Sequence, residues 1–239
     1  GVCVMIDDKS VLAVILARGG SKGLPRKNVL DCAGKPLIAW TIEAGQAARY
    51  VDRLILSSDD DEIMRVAEDY GCEVPFQRPS ELAEDDSTSM AALLHALDQL
   101  PEYDYVVLLQ PTSPLRIAED IDACIEKMDK QKASTCVSVT KTDKPPEWMY
   151  TLQSRDRLAP VLPKKDRVTR RQEATPTYVL NGAVYVADTS WLYGHTSFLH
   201  EETVAYVMPP NRSEDVDTRL DLEWCKFMIK TSPSFPRCL

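Results

Sequence analysis

Residues Ser10–Asn28 read SVLAVILARGGSKGLPRKN, and this stretch decides how the rest of the chain is interpreted. Its first part, Ser10–Ala17, is a continuous apolar run, as expected of a strand buried on both faces of a parallel sheet. Its second part is a loop that holds three glycines and four basic residues. Ligands of open α/β sheets bind beyond the carboxyl ends of the strands, so this loop is predicted to hold a ligand.

Outward from this stretch, strand-like and helix-like segments alternate as far as residue 140. Strands are predicted at Arg53–Ser57, Cys72–Phe76, Tyr105–Gln110, Ser134–Thr140, Ala183–Ala187 and Thr203–Met208. Helices are predicted at Pro36–Arg49, Asp59–Tyr70 (capped by Asp59), Ser87–Leu100, Ile117–Lys130 and Thr218–Lys230. The alternation predicts an α/β fold, with an open, mostly parallel, Rossmann-like sheet and helices on both faces.

One segment, Lys141–Thr177, interrupts the alternation. It is polar, contains five prolines and carries the basic run KKDRVTRR. We interpret it as an insertion that forms an extended arm on a single domain spanning residues 10–230.

The charge balance limits the class of partner. The 239 residues include 28 basic and 37 acidic side chains, a formal net charge of −9, and 44% of the residues are hydrophobic. This is the composition of a globular chain, and the acidic balance argues against duplex nucleic acid as the main partner. A local basic loop is still compatible with a small anionic ligand.

Cysteines and apolar runs indicate the compartment. The seven cysteines form no CxxC pair, and the three histidines lack metal-ligand spacing to them, so free thiols in a reducing cytosol are expected and zinc is not. The early apolar run Val11–Ala17 is too short to span a membrane, and it lacks the features of a secretion signal. The sequence therefore predicts a soluble, cytoplasmic protein.

The loop after the first strand has the chemistry of a phosphate site. Arg18, Lys22, Arg26 and Lys27 place four positive charges within ten residues, and the glycines allow backbone N–H groups to approach a ligand. The alternative is a solvated basic turn. The spacing matches neither the GxxxxGK[ST] loop of P-loop hydrolases nor the GxGxxG fingerprint of dehydrogenases.

Five motifs, in order along nearly the whole chain, resemble those of the CMP-sialic acid synthetases, also called acylneuraminate cytidylyltransferases. They are LARGGSKGLPRKN (16–28), RPxELAxD (78–85), LQPTSPLR (109–116), NGAVY (181–185) and DVDTxxDL (215–222). The resemblance implies a Mg²⁺-dependent reaction in which the anomeric hydroxyl of a nonulosonic acid attacks the α-phosphate of CTP. The rival hypotheses are a sugar-1-phosphate nucleotidyltransferase, which predicts a different loop (GGxGxRLxPLT), and a non-catalytic nucleotide-binding module.

The resemblance assigns the nucleotide side of the site. Nucleotide contacts are implied for Arg18, Gly19, Gly20, Ser21, Lys22, Lys27, Asn28, Arg78 and Ser89. Lys22 is expected to stabilise charge at the α-phosphate and the leaving pyrophosphate. An arginine and a hydroxyl, here Arg78 and Ser89, suit the carbonyl and amino groups of cytosine.

Asp215 and Asp217 are the candidate metal ligands. Carboxylate oxygens suit Mg²⁺, and alternation along a strand would place both on one face. On the residues alone an acidic helix start is an equal alternative, with Asp217 as the cap; the family motif favours the metal. Asp217 is also the best candidate for the base, because no histidine lies in the five motifs.

The sugar side is assigned by position and by resemblance. Gln110 ends a buried strand, where an amide suits sugar hydroxyls, although a simple strand-end hydrogen bond is the alternative. The resemblance implies sugar contacts for Arg171, Asn181, Tyr185 and Phe198, with Arg171 and Phe198 acting across a homodimer. A core aromatic is the alternative for Tyr185. The arm, with residues 188–202, is then a dimerisation and sugar-binding insertion.

Two departures from the family pattern lie on the sugar side. Val179 and Leu180 stand where some members have Arg-Pro, and Glu147 and Trp148 stand where some have a sugar-contacting lysine. N-acetylneuraminic acid is the expected substrate, and legionaminic acid or a related sugar is the alternative.

Overall fold

A six-stranded sheet forms the centre of the fold in the computed structural model, which describes residues 6, 8–20, 23–84, 88–162 and 175–232. The strands are β1 (Val11–Ala17), β2 (Asp31–Cys32), β3 (Lys35–Pro36), β4 (Arg53–Ser58), β5 (Tyr105–Leu109), β6 (Thr135–Lys141), β7 (Tyr150–Gln153), β8 (Arg157–Pro160), β9 (Tyr178–Asp188) and β10 (Val204–Met208). The helices are α1 (Leu37–Ala47), α2 (Asp61–Asp69), α3 (Ser89–Asp98), α4 (Ala118–Gln131), α5 (Thr189–Leu192) and α6 (Arg219–Thr231). None of the helices in these ranges has the length and apolar character needed to cross a bilayer.

The order of the strands confirms the predicted mostly parallel sheet. Across the sheet the order is β10-β6-β9-β5-β1-β4. Strands β4, β1 and β5 pair in parallel, as do β6 and β10, whereas β9 runs antiparallel between β5 and β6. The strands β2–β3 and β7–β8 form two separate antiparallel hairpins.

The continuous apolar run of β1 serves both faces of the sheet. Ala13 and Ile15 pack into a cluster that includes residues of α1, α2 and α4, and Leu12 and Val14 pack into a second cluster with residues of α3 and α5. Successive side chains of a strand point to opposite faces, so a strand covered on both sides has no polar positions. Helices on both faces are thereby confirmed.

A third apolar cluster fixes α6 and the segment that precedes it. Leu222, Cys225 and Ile229 of α6 pack against Leu37 and Val216, among other residues. This packing brings the start of α6 close to the loops that follow β1 and β5, where the cavity described below lies.

Two predictions, the strand at residues 72–76 and the cap of α2, are wrong in detail. The predicted strand Cys72–Phe76 is reduced to one parallel bridge between Glu73 and Ile55; the segment also contains Pro75, which has no N–H to donate to a ladder. The cap of α2 is Asp60, which accepts from the N–H groups of Glu62 and Ile63, and Asp59 instead accepts from the Gly19 N–H at 3.2 Å.

Strand β9 is longer than the predicted Ala183–Ala187, and it is irregular. Val137 pairs with Tyr185, but Val139 pairs with Leu180, so β9 carries extra residues opposite Ser138. The sequence Asn-Gly at 181–182 is a common turn signal, and the predicted strand begins directly after it. The bulge keeps the strand continuous across that signal.

The predicted insertion contains the hairpin β7–β8. This hairpin projects apolar side chains outward, and Leu152 and Leu158, which face each other across it, are 69% and 65% exposed. The whole basic run KKDRVTRR (164–171), which ends at Arg171, lies outside the described residues.

Candidate active site

A cavity of about 380 Å³ opens at the carboxyl ends of β1 and β5. Its lining comes from four parts of the chain: the ends of the two strands with their following loops, the start of α3, and the segment before α6. The lining residues are Leu16, Ala17, Arg18, Gly23, Lys27, Asn28, Ser89, Leu108, Gln110, Pro111, Thr112, Asp215 and Asp217. Seven predicted site residues therefore meet in one place: Arg18, Lys27, Asn28, Ser89, Gln110, Asp215 and Asp217.

The loop after β1 contains an internal hydrogen bond from the side-chain amide of Asn28. Asn28 is 5% exposed, and its Nδ2 donates to the Arg18 carbonyl at 3.2 Å. Among the described residues its buried Oδ1 has no hydrogen-bond partner. An acceptor left bare at the cavity wall is available to a donor on a ligand. Ser21 and Lys22 lie outside the described residues.

The basic side chains of the loop divide between two directions. Arg26 pairs with Asp60 at 2.6 Å and with Glu62, so its charge is directed to α2 rather than to the cavity. The hydrogen bond from Arg26 holds the pKa of the Asp60 carboxyl below its usual value. Lys27 lines the cavity and pairs with Asp217 at 2.9 Å. The expectation that all four cations face a triphosphate therefore does not hold for Arg26.

Gly23 allows the basic loop to approach the acidic segment. A Cβ at this position would lie 2.8 Å from the backbone oxygen of Asp217, closer than real Cβ atoms come to other atoms. Any side chain here would push apart the two walls of the cavity.

Asp215 and Asp217 lie in an extended loop, not in a strand. Between them Val216 is buried, and its N–H donates to the Thr112 carbonyl at 2.8 Å. With Val216 turned into the core, both neighbouring carboxylates line the cavity. The cap of α6 is Thr218, which forms a reciprocal capping box with Asp221. The helix therefore does not need Asp217 as its cap.

The Asp215 carboxyl is in an unusual environment. Burial raises its pKa, the nearby charge of Asp217 raises it further, and a hydrogen bond from Thr112 opposes these effects. Its buried Oδ1 has no hydrogen-bond partner within the described ranges. A buried carboxylate oxygen without a partner is costly unless a cation or donor arrives.

The carboxylate pair has the donor chemistry that a magnesium ion shared with a ligand would require. No cluster of three or more metal-ligating side chains occurs in the part of the chain that the structure describes. Mg²⁺ is commonly held by one or two carboxylates, with water and phosphate oxygens completing the octahedron. Asp215 and Asp217 would supply the protein ligands of such an ion.

Ser89 and Arg78, the two residues assigned to the base, occupy different positions. Ser89 begins α3 and lines the cavity. Arg78 is buried, and its Nη2 donates to the Ala17 carbonyl at 2.6 Å, with Asp59 at 3.9 Å. Burial lowers the pKa of its guanidinium. Arg78 thus supports the end of β1 and is not itself among the lining residues.

The residues assigned to the sugar also lie in different places, and only Gln110 among those described lines the cavity. Gln110 lines the cavity, whereas Asn181 is 5% exposed and bonds to Ser138 and Ser213. Tyr185 packs on Phe198, with ring centroids 5.3 Å apart. Phe198 is only 7% exposed and belongs to an apolar cluster of its own chain. It therefore has little surface to offer a partner subunit.

The sequence did not single out Thr112 and Arg116, although both lie within LQPTSPLR. Thr112 lines the cavity and bonds to the Asp215 segment. Arg116 is 2% exposed, and its Nη1 donates to the carbonyls of Ser113 at 3.0 Å and Gln110 at 3.4 Å. Burial lowers the pKa of Arg116 to about 10. The motif thus supplies residues that line the cavity and also a buried arginine that hydrogen-bonds to their backbone.

Comparisons with known proteins place the chain among enzymes that make CMP-activated sugars. The chain is 34% identical over 226 residues to the pseudaminic acid cytidylyltransferase of Campylobacter jejuni, covering 92% of this chain and 97% of that protein. It is 36% identical to the CMP-N,N'-diacetyllegionaminic acid synthase of Legionella pneumophila, covering 88% and 92%. It is 34% identical to the N-acylneuraminate cytidylyltransferase of Escherichia coli, covering 89% of this chain but 50% of that protein.

A solved structure has the same fold. The CMP:2-keto-3-deoxy-manno-octonic acid synthetase complexed with CTP superposes with a TM-score of 0.71 at 17% identity, over 92% of this chain and 98% of that chain. The family model described as cytidylyltransferase matches residues 12–178. That match spans β1, the basic loop and β5, which build most of the cavity. The chain is thus a nucleotidyltransferase and belongs to the cytidylyltransferase family.

Proposed function

We propose that this enzyme transfers CMP from CTP to the anomeric hydroxyl of a nonulosonic acid, with release of pyrophosphate. One observation carries the proposal: a basic, glycine-containing loop and a pair of carboxylates form facing walls of one cavity at the carboxyl ends of β1 and β5. A nucleoside triphosphate needs cations for its phosphates, and a metal-assisted transfer needs carboxylates beside them. Relatives that are named for CMP-sugar synthesis support the sugar class.

The chain's own residues account for the transfer step. The sugar hydroxyl oxygen forms a bond to the α-phosphorus, the bond to the bridging oxygen breaks, and pyrophosphate leaves. Arg18 and Lys27, with Lys22 from the same loop, neutralise charge on the phosphates. Asn28 and Ser89 face the nucleotide, and Arg78 holds the strand end beneath it.

Asp215 and Asp217 would hold Mg²⁺, which supplies charge neutralisation on the phosphates when it is bound. Within the described part of the chain the buried Oδ1 of Asp215 has no hydrogen-bond partner, and this supports the proposal of a cation beside it. Asp217 accepts the proton of the attacking hydroxyl, or orients the group that does. Gln110 donates to and accepts from the sugar hydroxyls.

The residues that depart from the family pattern on the sugar side favour substrates other than N-acetylneuraminic acid. N-acetylneuraminic acid is the reference substrate. Val179 and Leu180 are about 45% exposed beside the arm, and with Glu147 they provide no positive charge. Relatives named for pseudaminic and legionaminic acids make these sugars the second candidates.

The enzyme is proposed to act as a homodimer in the cytoplasm. The hairpin β7–β8 displays a row of exposed apolar side chains that a second copy would cover. Arg171, in the same insertion, would then reach the partner's sugar. The cysteines in the described ranges are all buried and free, as suits a reducing compartment.

The reaction is tested by measuring pyrophosphate released from CTP, Mg²⁺ and a panel of N-acetylneuraminic, legionaminic and pseudaminic acids. We expect release with CTP and at least one of these sugars, and little with ATP. Release with ATP but not CTP, or none with any nonulosonic acid, contradicts the proposal. The kcat/KM values across the panel identify the sugar.

The role of Asp217 is tested by Asp217→Asn. Because the amide neither holds a metal well nor takes a proton, turnover should fall by at least about 10²-fold, while CTP binding measured by calorimetry changes little. Glu223→Gln, an exposed carboxylate on α6, is the matched control and should keep full activity. Retained turnover in Asp217→Asn would remove Asp217 from the mechanism.

A further inference from the structure

A continuous chain of hydrogen bonds runs from the sheet to the acidic segment through Asn181. The Val184 N–H donates to Ser138 Oγ at 2.9 Å, and the Ser138 hydroxyl donates to Asn181 Oδ1 at 2.6 Å. Asn181 Nδ2 donates to Ser213 Oγ at 3.0 Å, and the Ser213 hydroxyl donates to the Pro209 carbonyl at 2.9 Å. The side chains of Ser138, Asn181 and Ser213 are therefore all hydrogen-bonded within this network.

The side chain of Asn181 has no capacity left for a ligand. Its Oδ1 accepts from the Ser138 hydroxyl and also from the Ala183 N–H at 3.3 Å. Its Nδ2 donates to Ser213 and lies 3.2 Å from the sulfur of Met208. An amide offers two acceptor sites and two donors, and all four are used inside the protein. Asn181 is also absent from the residues that line the cavity.

The bulge in β9 explains why this asparagine faces inward. The register shift opposite Ser138 places the extra residues of β9, including Asn181, at the join between β6 and β9. Bulges redirect a side chain, and they are frequent beside active sites. Here the redirected side chain reaches Ser213, two positions before Asp215.

Two anchors bracket Asp215. On one side Ser213 is fixed by Asn181, and on the other the Val216 N–H is fixed by the Thr112 carbonyl at 2.8 Å. We infer that Asn181 is a positioning residue, which sets the Asp215 carboxylate through Ser213 and does not touch the sugar. The part of this inference that concerns the metal rests on the proposed function; the part that concerns the segment does not.

Ser213→Ala is the test variant, because it removes the link to the acidic segment and leaves the other bonds of Asn181 in place. Ser213→Thr keeps a hydroxyl at this position and should preserve the hydrogen bond from Asn181. Thr135→Val is the matched control: it removes a hydroxyl from the other end of β6, where Thr135 Oγ1 bonds to Thr203 at 3.0 Å. Asn181→Ala completes the set.

The first readout is hydrogen–deuterium exchange of residues 213–217 in the protein without metal or substrates. Ser213→Ala and Asn181→Ala should both speed exchange there, and Thr135→Val and Ser213→Thr should not. Because this readout needs no turnover, it stands even if the proposed reaction fails. Unchanged exchange in Ser213→Ala overturns the inference.

The second readout is the steady-state rate of pyrophosphate release, measured first as a function of Mg²⁺ concentration and then as a function of sugar concentration. Loss of a group that supports a metal ligand typically costs about 10- to 100-fold in metal affinity, so Ser213→Ala and Asn181→Ala should raise the half-saturating Mg²⁺ concentration about ten-fold, with the sugar KM unchanged. A raised sugar KM in Asn181→Ala alone, with normal Mg²⁺ dependence, would show instead that Asn181 contacts the sugar. A wild-type protein that releases no pyrophosphate would contradict the proposed function and leave the exchange result to decide this inference.

Discussion

Gln110 shows how a single contact sets the geometry of the cavity. Its amide lies against Gly182, which has a φ of +71°. A Cβ at Gly182 would lie 2.9 Å from Gln110 Oε1. Only glycine adopts this conformation without strain and also leaves room for the amide. The orientation of Gln110 therefore depends on the absence of a side chain in β9.

We expect Gly182→Ala to raise the sugar KM by about ten-fold with little change in the CTP KM. The methyl group displaces the Gln110 amide, and a lost hydrogen bond to a substrate costs about 1.4 kcal/mol, or a factor of ten. Steady-state kinetics with each substrate varied in turn measures the split. Gly71→Ala provides a control for backbone strain, because Gly71 also has a positive φ (+75°) but lies outside the cavity lining, so both of its KM values should match those of wild type. Equal rises in both KM values would show that Gly182 does not act through Gln110.

At the residue scale, the motifs predicted which side chains meet but not which way each of them faces. Arg18, Gln110, Asp215 and Asp217 line the cavity together. Arg78, Asn181 and Phe198 belong to the same motifs or the same expected site, yet they are buried among their own neighbours. Whether a polar side chain points to ligand or to backbone depends on pairings such as the β9 bulge, which involve residues distant in sequence.

The start of α2 couples a helix to the basic loop through one carboxylate. Asp60 caps α2 and also accepts from Arg26 of the loop. The Arg26 hydrogen bond lowers the pKa of Asp60. A carboxyl with a depressed pKa in the folded state stabilises that state above its unfolded pKa of about 3.9, and this contribution is lost as the pH falls through the folded value.

Two substitutions separate these roles of Asp60. Asp60→Ala loses both the cap and the ion pair and should cost about 1–2 kcal/mol in the free energy of unfolding at pH 7. Asp60→Asn keeps a good cap and loses only the charge, so it should cost less than about 1 kcal/mol. Urea unfolding at pH 7 and near pH 3 measures both. The cost of Asp60→Asn should shrink at the lower pH, and a cost that grows would contradict the assigned pKa direction.

At the element scale, periodicity predicted the long helices and buried strands to within a few residues, but not the departures. The segment 72–76 has a strand-like pattern, yet it contributes only one bridge. Strand β9 contains a turn signal that the sheet overrides. Both departures depend on the neighbouring strand, which a local window of sequence does not contain.

At the scale of the whole molecule, the hairpin β7–β8 presents an exposed apolar surface. Leu152 and Leu158 face each other there, and both are more than half exposed. Exposed apolar patches of this kind mark interaction sites. The proposed dimer covers this face, and it also brings the insertion of one subunit to the partner's cavity.

The double variant Leu152→Lys/Leu158→Lys should convert the proposed dimer to a monomer and reduce turnover. Two charges placed side by side at an apolar contact repel each other and cannot be desolvated without cost. Light scattering after gel filtration gives the mass, and pyrophosphate release gives the activity. Leu220→Lys is the matched control, since Leu220 is 78% exposed but lies on α6. A double variant that stays dimeric would place the interface elsewhere.

The position of β9 between β5 and β6 has a consequence for synthesis on the ribosome. Strands β4, β1 and β5 emerge first and can pair, but the free edge of β5 has no neighbour until residues 178–188 appear. At about 5–20 residues per second, that wait lasts several seconds. During it the nascent chain presents an apolar sheet edge, and β6 has nothing to join. Strand β9 therefore joins β5 to β6, and chaperones that shield strand edges would be needed most in the interval before it arrives.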